Sequence, residues 1–188
     1  MAYERIIVVG TTGSGKTTLA GRLADQLGTV HIELDALNWG PDWTMHPDSE
    51  LRAAVDEATS GHRWVVDGNY SRTRDIVWPR GDTLVWLDYP LPLILWRLWW
   101  RTFRRVFFRE RLWNDNRERF WPQFLSRESL FLWALQTYRR RRREYPALLQ
   151  TAEYSHLDVV RLRSPRQTER WLVGLRADGG ELLGDKND

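Results

Sequence analysis

The stretch that most narrows the possible folds is Gly10-Thr11-Thr12-Gly13-Ser14-Gly15-Lys16-Thr17, which satisfies the pattern Gly-x-x-x-x-Gly-Lys-[Ser/Thr] at every fixed position. Its flanks matter as much as its letters. Arg5-Ile6-Ile7-Val8-Val9 before it is a β-branched apolar run, the mark of a strand buried on both faces. After it, Leu19, Leu23 and Leu27 recur at helical spacing. A buried strand, a glycine-rich turn and an amphipathic helix in that order predict the opening βα unit of a parallel sheet.

The composition of the turn suits an anion. Glycines let the backbone fold closely around a polyphosphate, several amide N–H groups then point inward, and the following helix offers its positive end. On this reading Gly10, Thr11, Thr12, Gly13, Ser14, Gly15, Lys16, Thr17 and Thr18 line a nucleotide site. Lys16 supplies a mobile ammonium to the β- and γ-phosphates, and the Thr17 hydroxyl can coordinate Mg²⁺. Residue usage agrees: of 28 basic residues only Lys16 and Lys186 are lysines. The lysine stands where a compact point charge suits better than a planar guanidinium fork.

Strands and helices then alternate. Val30-His31-Ile32-Glu33-Leu34 predicts a second strand ending at Asp35, and a loop follows through Asn38-Trp39-Gly40-Pro41-Asp42-Trp43. Asp48 or Ser49 can cap a helix whose apolar face uses Leu51, Ala54, Val55 and Ala58, with Gly61 ending it. Arg63-Trp64-Val65-Val66 is a third strand that delivers Asp67-Gly68-Asn69-Tyr70, and Thr83 to Leu87 a fourth that closes with Asp88-Tyr89-Pro90. A long helix is expected from Leu91 to near Phe108, then a polar break at Asn114-Asp115-Asn116 and a helical piece interrupted at Trp121-Pro122. Ser126 caps a further helix through Tyr145, disturbed by Pro146; a fifth strand from His156 to Leu162 and a helix from Pro165 to about Arg176 complete the pattern.

This alternation predicts an α/β chain: a three-layer α/β/α fold with a central five-stranded parallel sheet and a helical, arginine-rich lid. Residues 1–96 and 150–176 would form the core, 97–149 the lid, and 177–188 a disordered Asp/Gly-rich tail. Ligands of such sheets bind at the carboxyl ends of the strands, where the motif residues fall.

A chain of 188 residues suits one domain with a small lid. It has no cysteine, which excludes disulfides and thiolate metal sites and fits a cytoplasmic protein. Met1 to Arg5 lead straight into the first strand, so no signal peptide is expected. No His/Cys or paired-His spacing suggests zinc, and His31 reads as a packed strand residue. The most apolar window, Leu84 to Trp100, contains Asp88, Pro90, Pro92 and Arg97 and is too broken to cross a membrane. Charge is uneven: Arg97 to Arg143 holds 14 arginines against 4 acidic residues, ten net positive charges in a chain whose total is +3. Such a segment faces a polyanion, whether nucleotide, nucleic acid or membrane surface.

Beyond the motif, the sequence resembles the small P-loop kinases of the adenylate-kinase-like kind. Val65-Val66-Asp67-Gly68 is similar to the hydrophobic-Asp-Gly segment that ends the third strand in adenylate kinases, which implies that Asp67 holds Mg²⁺ through water. An arginine after that segment grips the acceptor phosphate in the family; here Arg72 comes one residue late, with Arg74 as its competitor. Leu87-Asp88-Tyr89-Pro90 with Arg97 and Arg101 resembles the family's fourth strand and the helix leading into the lid, implying that both arginines reach the nucleotide and the moving phosphoryl group. Arg105 and Arg109 continue that stripe at helical spacing. The family's post-lid arginine would fall in Arg139–Arg143, where Arg139 and Arg143 share a face, and its adenine-packing loop would fall at Ser164-Pro165-Arg166.

Over roughly residues 4–175 the match is closest to the bacterial group called DNA topology modulation proteins, through His31-Ile32-Glu33-Leu34-Asp35, Asn38-Trp39, Trp43 and Trp64 to Tyr70. The short segment after the second strand also resembles shikimate-type kinases, in which an acidic residue there contacts metal or acceptor. Asp35 either takes that role or is a cap or turn residue. Trp39 and Trp43 either stack on an acceptor ring or pack onto the sheet.

The expected function is thus an ATP- (or GTP-) and Mg²⁺-dependent phosphotransferase acting on a nucleotide or small-molecule acceptor. Lys16, Arg97 and Arg101 would be catalytic, Pro165 would border the base, Thr17 and Asp67 would hold the metal, and Asp35, Trp39 and Arg72 would choose the acceptor. The alternative is a nucleotide-gated nucleic-acid-binding regulator with weak ATPase activity, using the arginine- and tryptophan-rich segment. A third reading, peripheral membrane association through Leu93 to Phe108, competes with a buried helix that has one wet basic edge.

Overall fold

The computed structural model describes residues 3–41, 44–107 and 130–183. Trp43, Arg109, the break at Asn114-Asp115-Asn116, Trp121-Pro122 and the Ser126 cap lie outside the described residues, as does the side chain of Arg105. Five strands, β1 (Arg5–Gly10), β2 (Val30–Glu33), β3 (Trp64–Asp67), β4 (Thr83–Leu87) and β5 (Asp158–Leu162), form one sheet in the order β2-β3-β1-β4-β5. All four pairings are parallel. The order places β1 at the centre with β3 and β4 beside it, so the loops after these three strands open at neighbouring points on one edge.

Side chains on β1 alternate between two cores, as a strand covered on both faces requires. Ile7 and Val9 join Leu51, Val55, Trp64, Val77, Trp78 and Tyr145 on one face, and Ile6 and Val8 join Leu19, Leu23, Val85, Ile94 and Leu172 on the other. The first face is covered by α3 (Asp48–Ala58) and α4 (Arg74–Arg80), the second by α1 (Lys16–Leu27), the start of α5 (Leu91–Phe107) and α7 (Pro165–Leu183). The remaining long helix, α6 (Leu130–Leu148), sends Tyr145 into the first core and packs Tyr138 against the second. It therefore crosses the carboxyl edge of the sheet.

Local structure departs from the sequence expectation in several places. Leu34–Asn38 is a one-turn helix, α2, so Asp35 sits on a helix and not at a strand end. The reason is packing: Leu34 lies so close to Gly68 that a Cβ on that glycine would stand 2.7 Å from the Leu34 Cβ. Gly68 also has φ 144°, a conformation that only glycine adopts without strain. Helix α4 fills the stretch between the third and fourth strands, where the sequence pattern predicts no element; Pro79 is the sixth of its seven residues. The last strand begins at Asp158 and not His156, paired over five residues with β4. Helix α6 runs past Pro146 to Leu148, and α7 extends beyond Arg176 to Leu183.

Candidate functional site

The loop between β1 and α1 wraps the amino end of that helix. Gly15 is the N-cap, with φ 94° and no side-chain cap, so the first amides of α1 keep their positive pole open. Gly13, at φ 81°, is required by crowding as well: an added Cβ would lie 3.0 Å from the Ile94 carbonyl oxygen and 3.2 Å from the Leu98 Cβ. Helix α5 thus rests directly on the loop. From it the Arg97 guanidinium donates to the Ser14 carbonyl at 3.1 Å and lies over the Tyr89 ring, 5.3 Å from its centre.

Gly10 is held from the other side. Its N–H donates to Asn69 Oδ1 at 3.0 Å, and Asn69 Nδ2 donates back to the Gly10 carbonyl at 2.7 Å. The same carbonyl accepts from Arg141 Nη1 at 3.2 Å, and the Tyr145 hydroxyl donates to Asn69 Oδ1 at 3.2 Å. Arg141 is buried, and burial lowers its tendency to hold a proton, which Tyr145 partly offsets. Arg139 and Arg143, the pair expected from sequence to face the site, are exposed. Helix phase explains the correction: Ala134, Thr137, Arg141 and Tyr145 form the buried stripe of α6, spaced three and four residues apart. Extending that spacing through the arginine run would have selected Arg141.

Around Lys16 the charges converge. Burial lowers its pKa, Asp35 and Asp67 pull it upward, and Arg141 and Arg101 push it down again. Two carboxylates and two guanidiniums from α2, β3, α6 and α5 therefore act on one half-buried ammonium. Thr17 and Thr18, in the first turn of α1, are exposed, while Thr11 and Ser14 are buried.

Asp67 is buried at the end of β3. Its Oδ2 has no hydrogen-bond partner and lies 3.6 Å from His31 Nε2, and this carboxylate holds the imidazole above its ordinary pKa. A buried carboxylate oxygen without a hydrogen-bond partner is a hard-oxygen donor of the kind that fits hydrated Mg²⁺. Among the described residues no group of three or more His, Cys, Asp or Glu could hold a metal ion alone.

On the opposite flank Asp35 accepts from the Tyr70 hydroxyl at 2.6 Å. Trp39, half-buried, pairs with Met45 through a lone β-bridge and hydrogen-bonds Tyr70 through its side chain. Arg72 does not point free into this flank: its guanidinium pairs with Asp48, donates to Asn38 Oδ1 at 2.5 Å and lies over the Tyr70 ring. Its competitor Arg74 lies over Trp78, 5.0 Å from the ring centre. Pro165 begins α7 after the edge strand β5. Sequence reasoning missed Asn69, Tyr70, Tyr145 and the buried Asp88, which Arg161 Nη2 meets at 2.6 Å and Arg142 Nε at 2.9 Å. Each acts through contacts more than thirty residues away in sequence, which no local pattern reports.

Comparison of the whole structure with solved structures decides the fold. A shikimate kinase from Acinetobacter baumannii, bound to shikimate, superposes with a TM-score of 0.60 over 100% of this chain and 97% of that one, at 17% identity. The fold is that of the shikimate kinase-like P-loop kinases. A shikimate kinase from Bacteroides thetaiotaomicron (TM-score 0.53, 18% identity, 97% and 99% coverage) shares this kinase fold. So does a gluconokinase from Sinorhizobium meliloti (TM-score 0.51, 19% identity, 96% and 97% coverage). No family model matches the sequence. A 71-residue stretch is 41% identical to a tRNA dimethylallyltransferase from Methylobacterium radiotolerans; it covers 35% of this chain and 22% of that enzyme, so the chain matches less than a quarter of that relative's length. Among the described residues no helix is long and apolar enough to cross a membrane.

Proposed function

We propose that the protein is a cytoplasmic, Mg²⁺-dependent phosphotransferase that moves the γ-phosphoryl group of ATP, with GTP as the other candidate donor, to a hydroxyl group of a small molecule. The observation that carries this reading is the convergence of Asp35, Asp67, Arg101 and Arg141 on Lys16 at the carboxyl edge of a shikimate kinase-like sheet. Two guanidiniums and an ammonium outnumber the two carboxylates there by one charge, which leaves the cluster net positive and attractive to a further anion. A polyphosphate is such an anion, and the loop amides are arranged for it. Lys16, Arg97 and Arg101 neutralise the charge that develops on the transferring group, with Arg105 further along α5 and Pro165 beside the base. Thr17 and Asp67 hold the metal, which when bound neutralises phosphate charge.

The acceptor side favours an alcohol over a phosphomonoester. The Asp35 carboxylate on that side would repel a phosphate dianion, and the guanidinium of Arg72 is already paired with Asp48. The acceptor oxygen attacks the γ-phosphorus, the bond to the β–γ bridging oxygen breaks, and the hydroxyl proton passes to the Asp35 carboxylate. Kinship with the bacterial DNA topology modulation group, read from the segments around Asp35 and Asp67, is compatible with this chemistry.

The test is incubation with Mg²⁺ and ATP or GTP against a panel of sugars, polyols, hydroxy acids and nucleoside monophosphates. Transfer to a hydroxyl compound is expected. Slow hydrolysis unchanged by every acceptor would overturn the reading. One observation favours a second reading: exposed Trp96 and Trp100 lie beside Arg97, Arg101 and Arg104 on α5, a face on which a nucleic acid could rest. Salt-dependent, nucleotide-gated retardation of single strands in a mobility assay, with no acceptor turnover, would favour it.

A further inference from the structure

We propose that Tyr70 and Trp39 are positioning residues for Asp35, forming a one-way hydrogen-bond relay that aims the carboxylate at the acceptor; this rests on the phosphotransferase reading. The relay begins with backbone geometry. Asp35 lies in the single turn of α2, and Trp39, in extended backbone, is the residue that caps its carboxyl end. The Trp39 N–H donates to the Asp35 carbonyl at 3.1 Å, closing that turn. The close approach of Leu34 to Gly68 presses α2 against the end of β3, so Tyr70, two residues past Gly68, arrives beside Asp35. The Tyr70 carbonyl is itself pinned by the Thr73 N–H at 3.3 Å.

The direction of the relay follows from chemistry. An indole N–H can only donate, so the side-chain hydrogen bond between Trp39 and Tyr70 runs from the indole to the phenolic oxygen. The phenol keeps one proton, and that proton is donated to Asp35 Oδ1 at 2.6 Å, within the range of a charge-assisted bond. Burial, and then the negative charge of Asp35, push the Tyr70 hydroxyl well above its ordinary pKa, so it remains a donor at any working pH. One carboxylate oxygen is thereby occupied and its plane set, which leaves Oδ2 as the atom that meets an acceptor hydroxyl. Tyr70 and Trp39 touch neither donor nor acceptor in this scheme. They act through Asp35.

The experiment is a double-mutant cycle with Y70F and D35N, and W39F as a second probe. Y70F should lower kcat by about 10- to 100-fold, the usual cost of losing an orienting partner, while the KM for ATP stays within about twofold. In the D35N background Y70F should cost nothing further, because the residue it orients is gone. W39F should give a smaller loss of the same kind. Equal, multiplicative losses in both backgrounds, or a rise in KM for ATP matching the fall in kcat, would overturn the relay. Failure of the underlying reading looks different: the parent would transfer to no hydroxyl compound. Even then the pair is read in thermal unfolding of the unliganded protein. There Y70F should lower Tm by about 2–6 °C in the parent and much less in D35N. Equal shifts in both would overturn it.

Discussion

Two groups of arginines in this molecule do different jobs, and the difference lies in what accepts their hydrogen bonds. Arg97 and Arg141 donate to backbone carbonyls of the phosphate loop, those of Ser14 and Gly10. A carbonyl orients a guanidinium without cancelling its charge, so both cations remain electrically available to an anion at Lys16. Arg72, Arg142 and Arg161 instead end on carboxylates, Asp48 and Asp88. Their charge is spent within the fold, where they tie α3 to the turn after β3 and α6 to the ends of β4 and β5. Abundance of arginine is therefore a poor guide to a site; the identity of the acceptor is a better one.

Four measurements break or sharpen that comparison. The largest effect is expected for Lys16→Ala, which removes the charge beside which Arg141 and Arg101 stand: affinity for a fluorescent ATP analogue should fall about 100-fold or more, and turnover with it. Unchanged binding would dissolve the site. Next, Asp88→Ala strands two guanidiniums; because Arg161 and Arg142 are partly exposed, the loss of stability should be about 2 kcal/mol and not the larger cost of a fully buried pair. Chemical denaturation reads this, and ATP affinity should be retained in the folded fraction. Arg141→Ala should weaken nucleotide binding about tenfold, whereas Arg143→Ala, on the exposed side of the same run, should leave it unchanged. Equal losses would erase the distinction between carbonyl-held and solvent-facing arginines.

The smallest effect concerns pH. The Asp67 carboxylate raises the His31 pKa above 6.5 in the folded protein, so the native state holds that proton more tightly than the unfolded chain. The resulting stability is fully present below pH 6.5 and is lost as pH rises through the folded value. His31→Gln should remove less than about 1 kcal/mol, and only on the acid side of that window. A parent and variant whose stabilities run parallel across the window would show that the pair contributes nothing.

The fold could be read from the chain because its cues are local. Ile6 to Val9 and Leu84 to Leu87 carry the signature of strands buried on both faces, and the loop at Gly10 to Thr17 specifies its own backbone. Half of the candidate site is legible for the same reason: Lys16, Thr17 and Asp67 belong to motifs. The other half depends on tertiary approach. Five consecutive arginines look alike until packing of Tyr145 and Ala134 sets which one turns inward. Arg72 falls one residue late against the family position, and Asp48, 24 residues away, claims its charge. Tyr70 and Asp35 lie 35 positions apart and meet only because Gly68 yields to Leu34.

The missing side chain at Gly13 has a mechanical consequence. With the carbonyl of Ile94 and the side chain of Leu98 seated against that bare backbone, the first two turns of α5 and the loop are geared together. Tilting the helix about its own start would drive Ile94 into the loop. Arg97, three residues past Ile94 and bonded to the Ser14 carbonyl, is therefore held with the loop as a fixed wall of the cleft.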